Sequence, residues 1–300
     1  MDKAFASRLI DSTRARGNPL CAGIDPHLNL IPKIFQRGQM EPTASQTAES
    51  VRDFCFEYLS RLIGKVPCIK PQAAMFERLG PQGMIILGDL CHEAIAEGLM
   101  VIMDAKRGDI GSTSTAYADA FLGHNAGFPS DALTINPYLG MDTLNPFLDV
   151  ADQTASGLFV LVRTSNPGSA DLQGIIAEDG RPIFHHLAEK LRPLVEERET
   201  DCGFSSLGIV AGATYPEEAA ELRKLLPSAL FLVPGFGAQG GGREEAFAGF
   251  VDGPEGPEGG IVNASRGISF PVEAQDASTS TSWKQAIDDA LSNAINTLRG

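Results

Sequence analysis

The chain has 300 residues, of which 43% are hydrophobic and 21% charged, as expected for a globular protein with a large core. Its formal net charge of -14 argues against a general nucleic-acid-binding protein, because phosphate binding needs a basic stripe and the lysines and arginines here do not cluster. No apolar stretch approaches the roughly 18 residues that a membrane span requires, so no membrane partner is expected.

The cysteine pattern indicates a reducing compartment. The five cysteines are an odd number, form no CxxC pair and follow no secretory leader, which is typical of reduced thiols. We therefore expect a cytoplasmic protein. The cysteines are Cys21, Cys55, Cys68, Cys91 and Cys202.

Short apolar runs alternate with helical patterns along the chain. The first pattern, Phe5 to Ile10, predicts an N-terminal helix. Eight predicted strands follow: Leu20 to Ile24, Val66 to Ile69, Met100 to Asp104, Ala132 to Ile135, Leu158 to Val162, Leu207 to Ala211, Leu230 to Val233 and Gly260 to Asn263. This alternation predicts an α/β fold.

Eight strands with helices between them fit either a closed barrel or a doubly wound sheet. A dinucleotide-binding sheet usually has a GxGxxG turn after its first strand, whereas Asp25-Pro26-His27 stands here. We therefore predict a (β/α)8 TIM barrel. Residues 1 to 300 form a single domain in this prediction, with the N-terminal helix closing the barrel floor.

Several segments outside the strands also carry signals. Capping boxes predict helix starts at Thr214 to Glu217 and at Ser282 to Gln285. After the second, a helical stripe of Trp283, Ile287, Leu291, Ile295 and Leu298 predicts core packing. The segment Asp252 to Gly260 predicts a solvated loop. Surface insertions are expected at Arg37 to Ser45, Gly174 to Arg181, Asp252 to Gly259 and Val272 to Ser282.

Charged side chains follow three consecutive predicted strands. Asp25 follows the first, Lys70 the second, and Asp104 and Lys106 the third, with Asp109 just beyond. Positions two apart on a strand face the same side about 7 Å apart, so Asp104 and Lys106 should project side by side. Burying such charges is unfavourable unless they pair, so they predict one shared site. The alternative is a solvated salt bridge on a surface turn.

The last two predicted strands end in segments suited to binding an anion. The seventh leads into a glycine-rich stretch, Pro234 to Gly242, whose backbone N-H groups can approach a phosphate closely. The eighth leads into Asn263 to Gly267, where Arg266 supplies a guanidinium. Phosphate sites in TIM barrels often lie after strands seven and eight, so the pattern favours a phosphorylated substrate.

These motifs resemble the orotidine 5'-phosphate decarboxylase family. The family signature D-x-K-x-x-D-I-x-x-T matches Asp104, Lys106, Asp109, Ile110 and Thr113. The segments CAGIDPH, IKPQAAMFE, RTSNPG and NASRGI look like those of the larger bacterial branch, known as type 2. The resemblance spans most of the chain and implies decarboxylation of orotidine 5'-phosphate to uridine 5'-phosphate in pyrimidine synthesis.

The resemblance also implies roles for individual residues. The catalytic network would comprise Lys70, Asp104, Lys106 and Asp109, with Lys106 stabilising and protonating the carbanion at C6. Asp25 and Lys70 would hold the ribose hydroxyls and Ser165 the pyrimidine amide edge. The substrate-binding residues implied are Asp25, Ile110, Thr113, Ser165, Pro234, Gln239 and Arg266, and the phosphate-binding residues are Gly237, Gln239, Ser265 and Arg266.

The resemblance further implies a homodimer, with Asp109, Ile110 and Thr113 reaching into the neighbouring subunit's site. It implies no metal and no organic cofactor, and the sequence contains no compact ligand pattern such as HxxH.

Three alternatives remain open from the sequence. A magnesium-dependent sugar-phosphate decarboxylase or synthase of the same superfamily typically has an acidic residue where Lys70 stands, which disfavours it. A Schiff-base aldolase would need a lysine of lowered pKa, which flanking aspartates oppose. A non-catalytic nucleotide-binding module would bind uridine 5'-phosphate without releasing carbon dioxide.

Overall fold

Strands and helices alternate along the computed structural model, which describes residues 3–237 and 242–299. The strands are β1 Leu20–Ile24, β2 Cys68–Pro71, β3 Met100–Arg107, β4 Ala132–Ile135, β5 Gly157–Arg163, β6 Ser205–Ala211, β7 Ala229–Val233, β8 Val251–Gly253, β9 Gly256–Glu258 and β10 Gly260–Ala264. The helices are α1 Phe5–Arg16, α2 Ser45–Leu62, α3 Ala73–Glu77, α4 Pro81–Ala96, α5 Gly111–Leu122, α6 Asn145–Thr154, α7 Ile183–Glu197, α8 Pro216–Leu225, α9 Arg243–Phe247, α10 Arg266–Ser269, α11 Val272–Gln275 and α12 Ser280–Arg299.

Eight parallel strands close into a barrel in the order β1-β2-β3-β4-β5-β6-β7-β10. Closure is visible at Ala22, which pairs with Ile69 of β2 on one side and with Ala264 of β10 on the other. The predicted (β/α)8 TIM barrel is therefore confirmed. All carboxyl ends of the strands meet at one end of the barrel, which we call the mouth, and all amino ends meet at the other, which we call the floor.

The barrel strands are continuous apolar runs because both of their faces are covered. One face packs against the surrounding helices in the larger apolar cluster. The other face fills the barrel interior, where α1 contributes Phe5, Leu9 and Ile10 to a cluster with strand residues. The Phe5 ring meets the Phe159 ring edge-on at 5.9 Å. The floor of the barrel is thus covered by an apolar helix face.

The C-terminal helix α12 lies along the barrel wall on the predicted stripe. Its buried residues are Trp283, Ile287, Leu291, Ile295 and Leu298, which confirms the predicted core packing. No described helix combines the length and apolarity needed to cross a membrane.

Both predicted capping boxes are wrong. Helix α8 begins at Pro216 after Tyr215, with no capping side chain, and the Thr214 hydroxyl donates instead to Ser165 O at 3.4 Å. Helix α12 begins earlier than predicted, because Thr279 accepts from the N-H of Ser282 at 3.1 Å. A capping pattern identifies a nearby helix start, but neighbouring loops decide which hydroxyl is used.

The segment Asp252 to Gly260 is exposed over most of its length, as predicted, but it is not an irregular loop. Its residues form an antiparallel hairpin of β8 and β9. Glu258 on that hairpin is buried and accepts two hydrogen bonds from the Arg14 guanidinium of α1, at 2.7 and 2.8 Å. The sequence segment has no apolar anchor, so this ion pair is its attachment to the floor.

Candidate active site

The Asp104 carboxylate is the centre of a charged network at the barrel mouth. One of its oxygens accepts from the Lys70 ammonium at 2.7 Å, and the other accepts from the Lys106 ammonium at 2.5 Å. The Gln72 amide and the Thr134 hydroxyl donate to the same carboxylate at 3.0 and 3.1 Å. Asp104 and Lys70 are buried, with side chains 9% and 5% exposed, whereas Lys106 is 46% exposed. The most accessible member of the network is therefore an ammonium group.

The backbone at Lys106 departs from a regular strand. Its φ is 48°, in the left-handed region that non-glycine residues rarely adopt, and the β3-β4 register shifts between Met103 and Arg107. The Thr134 hydroxyl accepts the N-H groups of Ala105 and Lys106 at 3.1 and 2.9 Å. Such strain costs about 1–3 kcal/mol and persists only where surrounding contacts enforce it. Thr134 is the contact that holds this bend.

The buried pair of Asp104 and Lys70 is charged across the neutral pH range. Burial alone would raise the pKa of Asp104, but the Lys70 and Lys106 ammonium groups outweigh it and hold that pKa well below its usual range. Burial alone would lower the pKa of Lys70, but the carboxylates of Asp104 and Asp25 outweigh it and raise that pKa. The two shifts agree in direction, as expected for a buried ion pair.

Two buried oxygen atoms beside the network have no hydrogen-bond partner among the described residues. They are Oδ1 of Asp25, which follows β1, and Oγ of Ser265, which follows β10. A Cβ on Gly23 would lie 2.6 Å from the Cβ of Ser265, so only glycine permits this close approach of β1 to Ser265. Buried polar atoms usually have partners, so these two identify positions where a ligand would satisfy them.

A cavity of about 1070 Å³ opens above the network. Lys70, Asp104, Lys106 and Asn263 lie on its barrel side. Residues 164–169, the β5 loop, contribute Ser165, and the outer wall is largely apolar side chains from residues 136–140, the β4 loop, and from α7. Pockets with few polar groups on an apolar lining are typical of small-molecule sites.

Most of the chain is similar in sequence to a known protein family. Residues 18–271 match the model of the family described as "Orotidine 5'-phosphate decarboxylase / HUMPS family". The chain belongs to this family. A Rhodopirellula baltica protein named orotidine 5'-phosphate decarboxylase is 42% identical over 99% of both chains, and one of the same name from Deinococcus radiodurans is 36% identical over 98% of this chain and 99% of its own.

Solved structures agree with this family membership. A Streptomyces avermitilis structure aligns with a TM-score of 0.79 at 32% identity, covering 100% of this chain and 97% of its own. The Leishmania donovani OMP decarboxylase aligns with a TM-score of 0.72 at 29% identity, covering 99% of both chains. The resemblance to orotidine 5'-phosphate decarboxylases drawn from the sequence is confirmed.

The family's signature residues divide into two groups in the structure. Asp104 and Lys106 meet in the network described above, whereas Asp109 does not reach it within its own chain. The carboxylate of Asp109 accepts the N-H of Ile110 at 2.8 Å. Ile110 is 63% exposed, and Thr113 on the first turn of α5 is exposed as well. None of Asp109, Ile110 and Thr113 lines this chain's own cavity.

The candidate phosphate-binding residues that the structure describes lie on adjacent loops at the mouth, because β7 and β10 are neighbours in the barrel. Pro234 lines the cavity, and the exposed Gly237 has a φ of 75°. Arg266 is exposed at the start of α10 and forms no ion pair with any residue that the structure describes. Gln239, the remaining phosphate candidate, lies outside the described residues.

Sequence reasoning missed several polar residues of the site. Thr134 and Gln72 both donate to Asp104, and Gln173 holds the β5 loop that carries Ser165. Thr134 could have been noticed as the one hydroxyl in the apolar run of β4. Gln72 lies two positions after Lys70, the spacing that aligns side chains on a strand. Gln173 carries no comparable signal.

Proposed function

We propose that this chain converts orotidine 5'-phosphate to uridine 5'-phosphate and carbon dioxide in pyrimidine synthesis. Family membership and the names of its relatives support this activity. The observation that carries it is the buried Asp104 carboxylate, which holds two ammonium groups at the base of a cavity.

Lys106 is the proposed proton donor. Decarboxylation breaks the bond between C6 and the carboxyl carbon and leaves the electron pair on C6, where no π system receives it. A fixed cation at that point stabilises the developing charge. The Lys106 ammonium then gives its proton to C6, and because it is 46% exposed, solvent can restore the proton after carbon dioxide leaves.

Asp104 and Asp109 are proposed to position the ammonium and to face the departing carboxylate. Repulsion between two charges about 4 Å apart is worth about 4 kcal/mol at an effective dielectric near 20. That is about three powers of ten in rate, whereas enzymes typically supply about 8–23 kcal/mol. Preorganised Lys106 and binding energy from the phosphate must therefore supply much of the remainder.

The proposal also assigns roles to the residues that would bind the rest of the substrate. Asp25 and Lys70 hold the ribose hydroxyls, which would give the buried Oδ1 of Asp25 a partner. Ser165 reads the pyrimidine amide edge. The other proposed substrate contacts are Ile110, Thr113 and Pro234, and the proposed phosphate contacts are Gly237, Gln239, Ser265 and Arg266.

The proposal is tested by following loss of orotidine 5'-phosphate absorbance with purified protein. Lys106→Ala should lower kcat/KM by about 10³-fold or more, because it removes a charge worth about 4 kcal/mol at the reacting carbon. Lys65→Ala is a matched control, since Lys65 forms its ion pair with Asp288 away from the cavity. Absence of turnover by the unmodified protein, with binding of uridine 5'-phosphate intact, would contradict the proposed activity.

We also propose a homodimer in which Asp109, Ile110 and Thr113 complete the partner's site. The exposure of Ile110 and Thr113 supports this, as does exposed Tyr138, at 73%, on the neighbouring β4 loop. Such apolar exposure beside a functional mouth is typical of an interaction surface.

A subunit-mixing experiment tests the shared site. Equal amounts of Lys106→Ala and Asp109→Ala chains should recover about a quarter of normal activity after unfolding and refolding together, because half of the dimers are mixed and each has one intact site. No recovery, despite mixed dimers in solution, would place Asp109 in its own chain's site.

A cytoplasmic location is proposed from the cysteines. All five are free thiols, and four of them are buried. Burial raises the pKa of Cys91 to about 12, which keeps that thiol protonated and unreactive. Fractionation of cells expressing the tagged chain would test this location.

A further inference from the structure

The segment Thr164 to Ser169, here called the β5 loop, forms one rim of the cavity and carries Ser165. The residue before it, Arg163, is the last residue of β5, and its side chain is only 5% exposed. Arg163 does not itself line the cavity. Its burial next to the loop that carries Ser165 indicates a role other than direct contact with a ligand.

The Arg163 guanidinium connects three elements. It pairs with the Glu218 carboxylate of α8 through two nitrogens, and its Nη1 donates to Oγ of Ser169 in the β5 loop at 2.5 Å. Its carbon lies 3.8 Å from the centre of the Tyr215 ring. The planar guanidinium is thus held by the carboxylate and the aromatic face, and its third nitrogen sets the position of the loop.

Ser165 lies in close contact with Gly212, the residue that follows β6. The carbonyl of Arg163 accepts the N-H of Gly212 at 2.9 Å. A Cβ on Gly212 would lie 2.9 Å from both Cα and Cβ of Ser165, so the β5 loop passes β6 at a distance that only glycine permits. The position of Ser165 relative to the cavity is therefore determined by contacts behind it.

A second contact holds the other side of the loop. The Gln173 side chain accepts the N-H of Thr164 and donates to its hydroxyl, both at 2.9 Å. Gln173 is in turn joined to the start of α7, because its carbonyl accepts the N-H of Phe184 at 3.1 Å. The loop is therefore held at its first residue, Thr164, by Gln173 and at its last residue, Ser169, by Arg163.

We infer that Arg163 is a positioning residue that holds Ser165 where it can form hydrogen bonds with the pyrimidine amide edge. The inference rests on the proposed function, since it takes Ser165 as the group that contacts the base. A buried ion pair is often no better for stability than apolar packing. A fork that joins Glu218, Tyr215 and Ser169 supplies fixed geometry, which apolar packing would not.

The experiment measures binding of two ligands to Arg163→Lys and Ser169→Ala. Uridine 5'-phosphate carries the amide edge, and ribose 5-phosphate lacks it. Lysine keeps the charge next to Glu218 but cannot donate to both partners in one plane. We expect each variant to weaken uridine 5'-phosphate binding and to raise KM for orotidine 5'-phosphate about tenfold, with ribose 5-phosphate binding unchanged.

Arg223→Lys is the matched control. Arg223 is also buried, but its guanidinium donates to backbone carbonyls of Gly249, Ala229 and Gly259, away from the cavity. It should lower stability to urea without changing either affinity. The Ser169→Ala variant loses one hydroxyl only, so it tests the inference even if Arg163→Lys does not fold.

Two results would overturn the inference. One is unchanged uridine 5'-phosphate affinity in both variants while the unmodified protein turns over orotidine 5'-phosphate, which would leave the proposed function intact. The other is an equal loss of affinity for both ligands, which would show general damage to the mouth. Absence of turnover and of uridine 5'-phosphate binding in the unmodified protein would instead overturn the proposed function together with this inference.

Discussion

Buried carboxylates have different hydrogen-bond partners at the mouth and at the floor of the barrel. At the floor, Asp131 accepts from the Arg8 guanidinium and from the N-H of Val101, and Glu258 is paired with Arg14 through both oxygens. At the mouth, Asp104 holds two ammonium groups, while Asp25 has an oxygen with no partner in the described parts of the chain. Both oxygens of each of these two floor carboxylates accept a hydrogen bond from within the protein.

The mouth also carries backbone strain, at Lys106 with its φ of 48°. The unpartnered oxygen of Asp25 and the strained Lys106 lie at the same end of the barrel as the cavity, and this combination is typical of a ligand site. In TIM barrels the carboxyl ends of the strands carry the chemistry and the amino ends carry stability. Changes at the mouth should therefore affect turnover most, and changes at the floor should affect unfolding most.

The sharpest test compares two aspartates of similar burial. Asp104→Asn should lower kcat/KM for orotidine 5'-phosphate by about 10³-fold, because it removes the charge that holds both ammonium groups, worth about 4 kcal/mol at 4 Å. Asp131→Asn should lower the free energy of unfolding and leave kcat unchanged. Steady-state kinetics with urea unfolding checks both, and equal activity losses would remove the distinction between the two ends.

Arg266→Ala should produce the next largest effect. Loss of a charged hydrogen bond to the phosphate costs about 1.5–3 kcal/mol, so kcat/KM should fall about 10- to 100-fold. We expect kcat to fall as well as KM to rise, because phosphate binding energy is used in the transition state. Turnover of orotidine, which lacks the phosphate, should not change. A rise in KM alone would argue against this use of binding energy.

Thr134→Val should have a moderate effect on both properties. Valine keeps the shape but leaves the N-H groups of Ala105 and Lys106 without their acceptor, at a cost of about 1–3 kcal/mol. We expect kcat to fall about tenfold as Lys106 loses its fixed position. Thr47→Val is the control, since the Thr47 hydroxyl is buried with no partner in the described residues. Equal kinetics for the two variants would contradict the role assigned to Thr134.

Glu258→Gln should affect the floor alone. The hairpin would lose its charged attachment to Arg14, lowering the free energy of unfolding by about 1–3 kcal/mol while kcat stays the same. Glu255→Gln, at the exposed turn of the same hairpin, should change neither quantity. Urea unfolding followed by circular dichroism separates them, and a fall in kcat with Glu258→Gln would show that floor and mouth are coupled.

The smallest expected effect is on the pH dependence of stability. Because the folded pKa of Asp104 is held below its usual range, the unfolded chain binds more protons than the folded one near the unfolded pKa of about 3.9. The contribution of Asp104 is therefore complete above that pH and is lost as the pH falls through the folded value. Asp104→Asn should show a shallower fall of Tm between about pH 4 and 2. Parallel curves for the two proteins would contradict the assigned shift.

The sequence by itself determined the strands and the barrel. Eight apolar runs predicted eight barrel strands, because a strand buried on both faces must be apolar along its whole length. It also identified Asp104, Lys106 and Lys70, since charges at the ends of parallel strands meet at one end of a barrel. The predictions were wrong where tertiary contacts outweigh local patterns, as at the capping boxes of Thr214 and Ser282 and at the β8-β9 hairpin.

Only the tertiary structure decided how the network is held. The bend at Lys106 depends on Thr134 of the next strand, and the placement of Ser165 depends on Arg163, Gln173 and Gly212 from three directions. No spacing in the chain reports such contacts, because they join residues brought together by barrel closure. Local patterns determine which segments become strands and where charge is placed, whereas the orientation of a side chain at the mouth depends on its neighbours across the barrel.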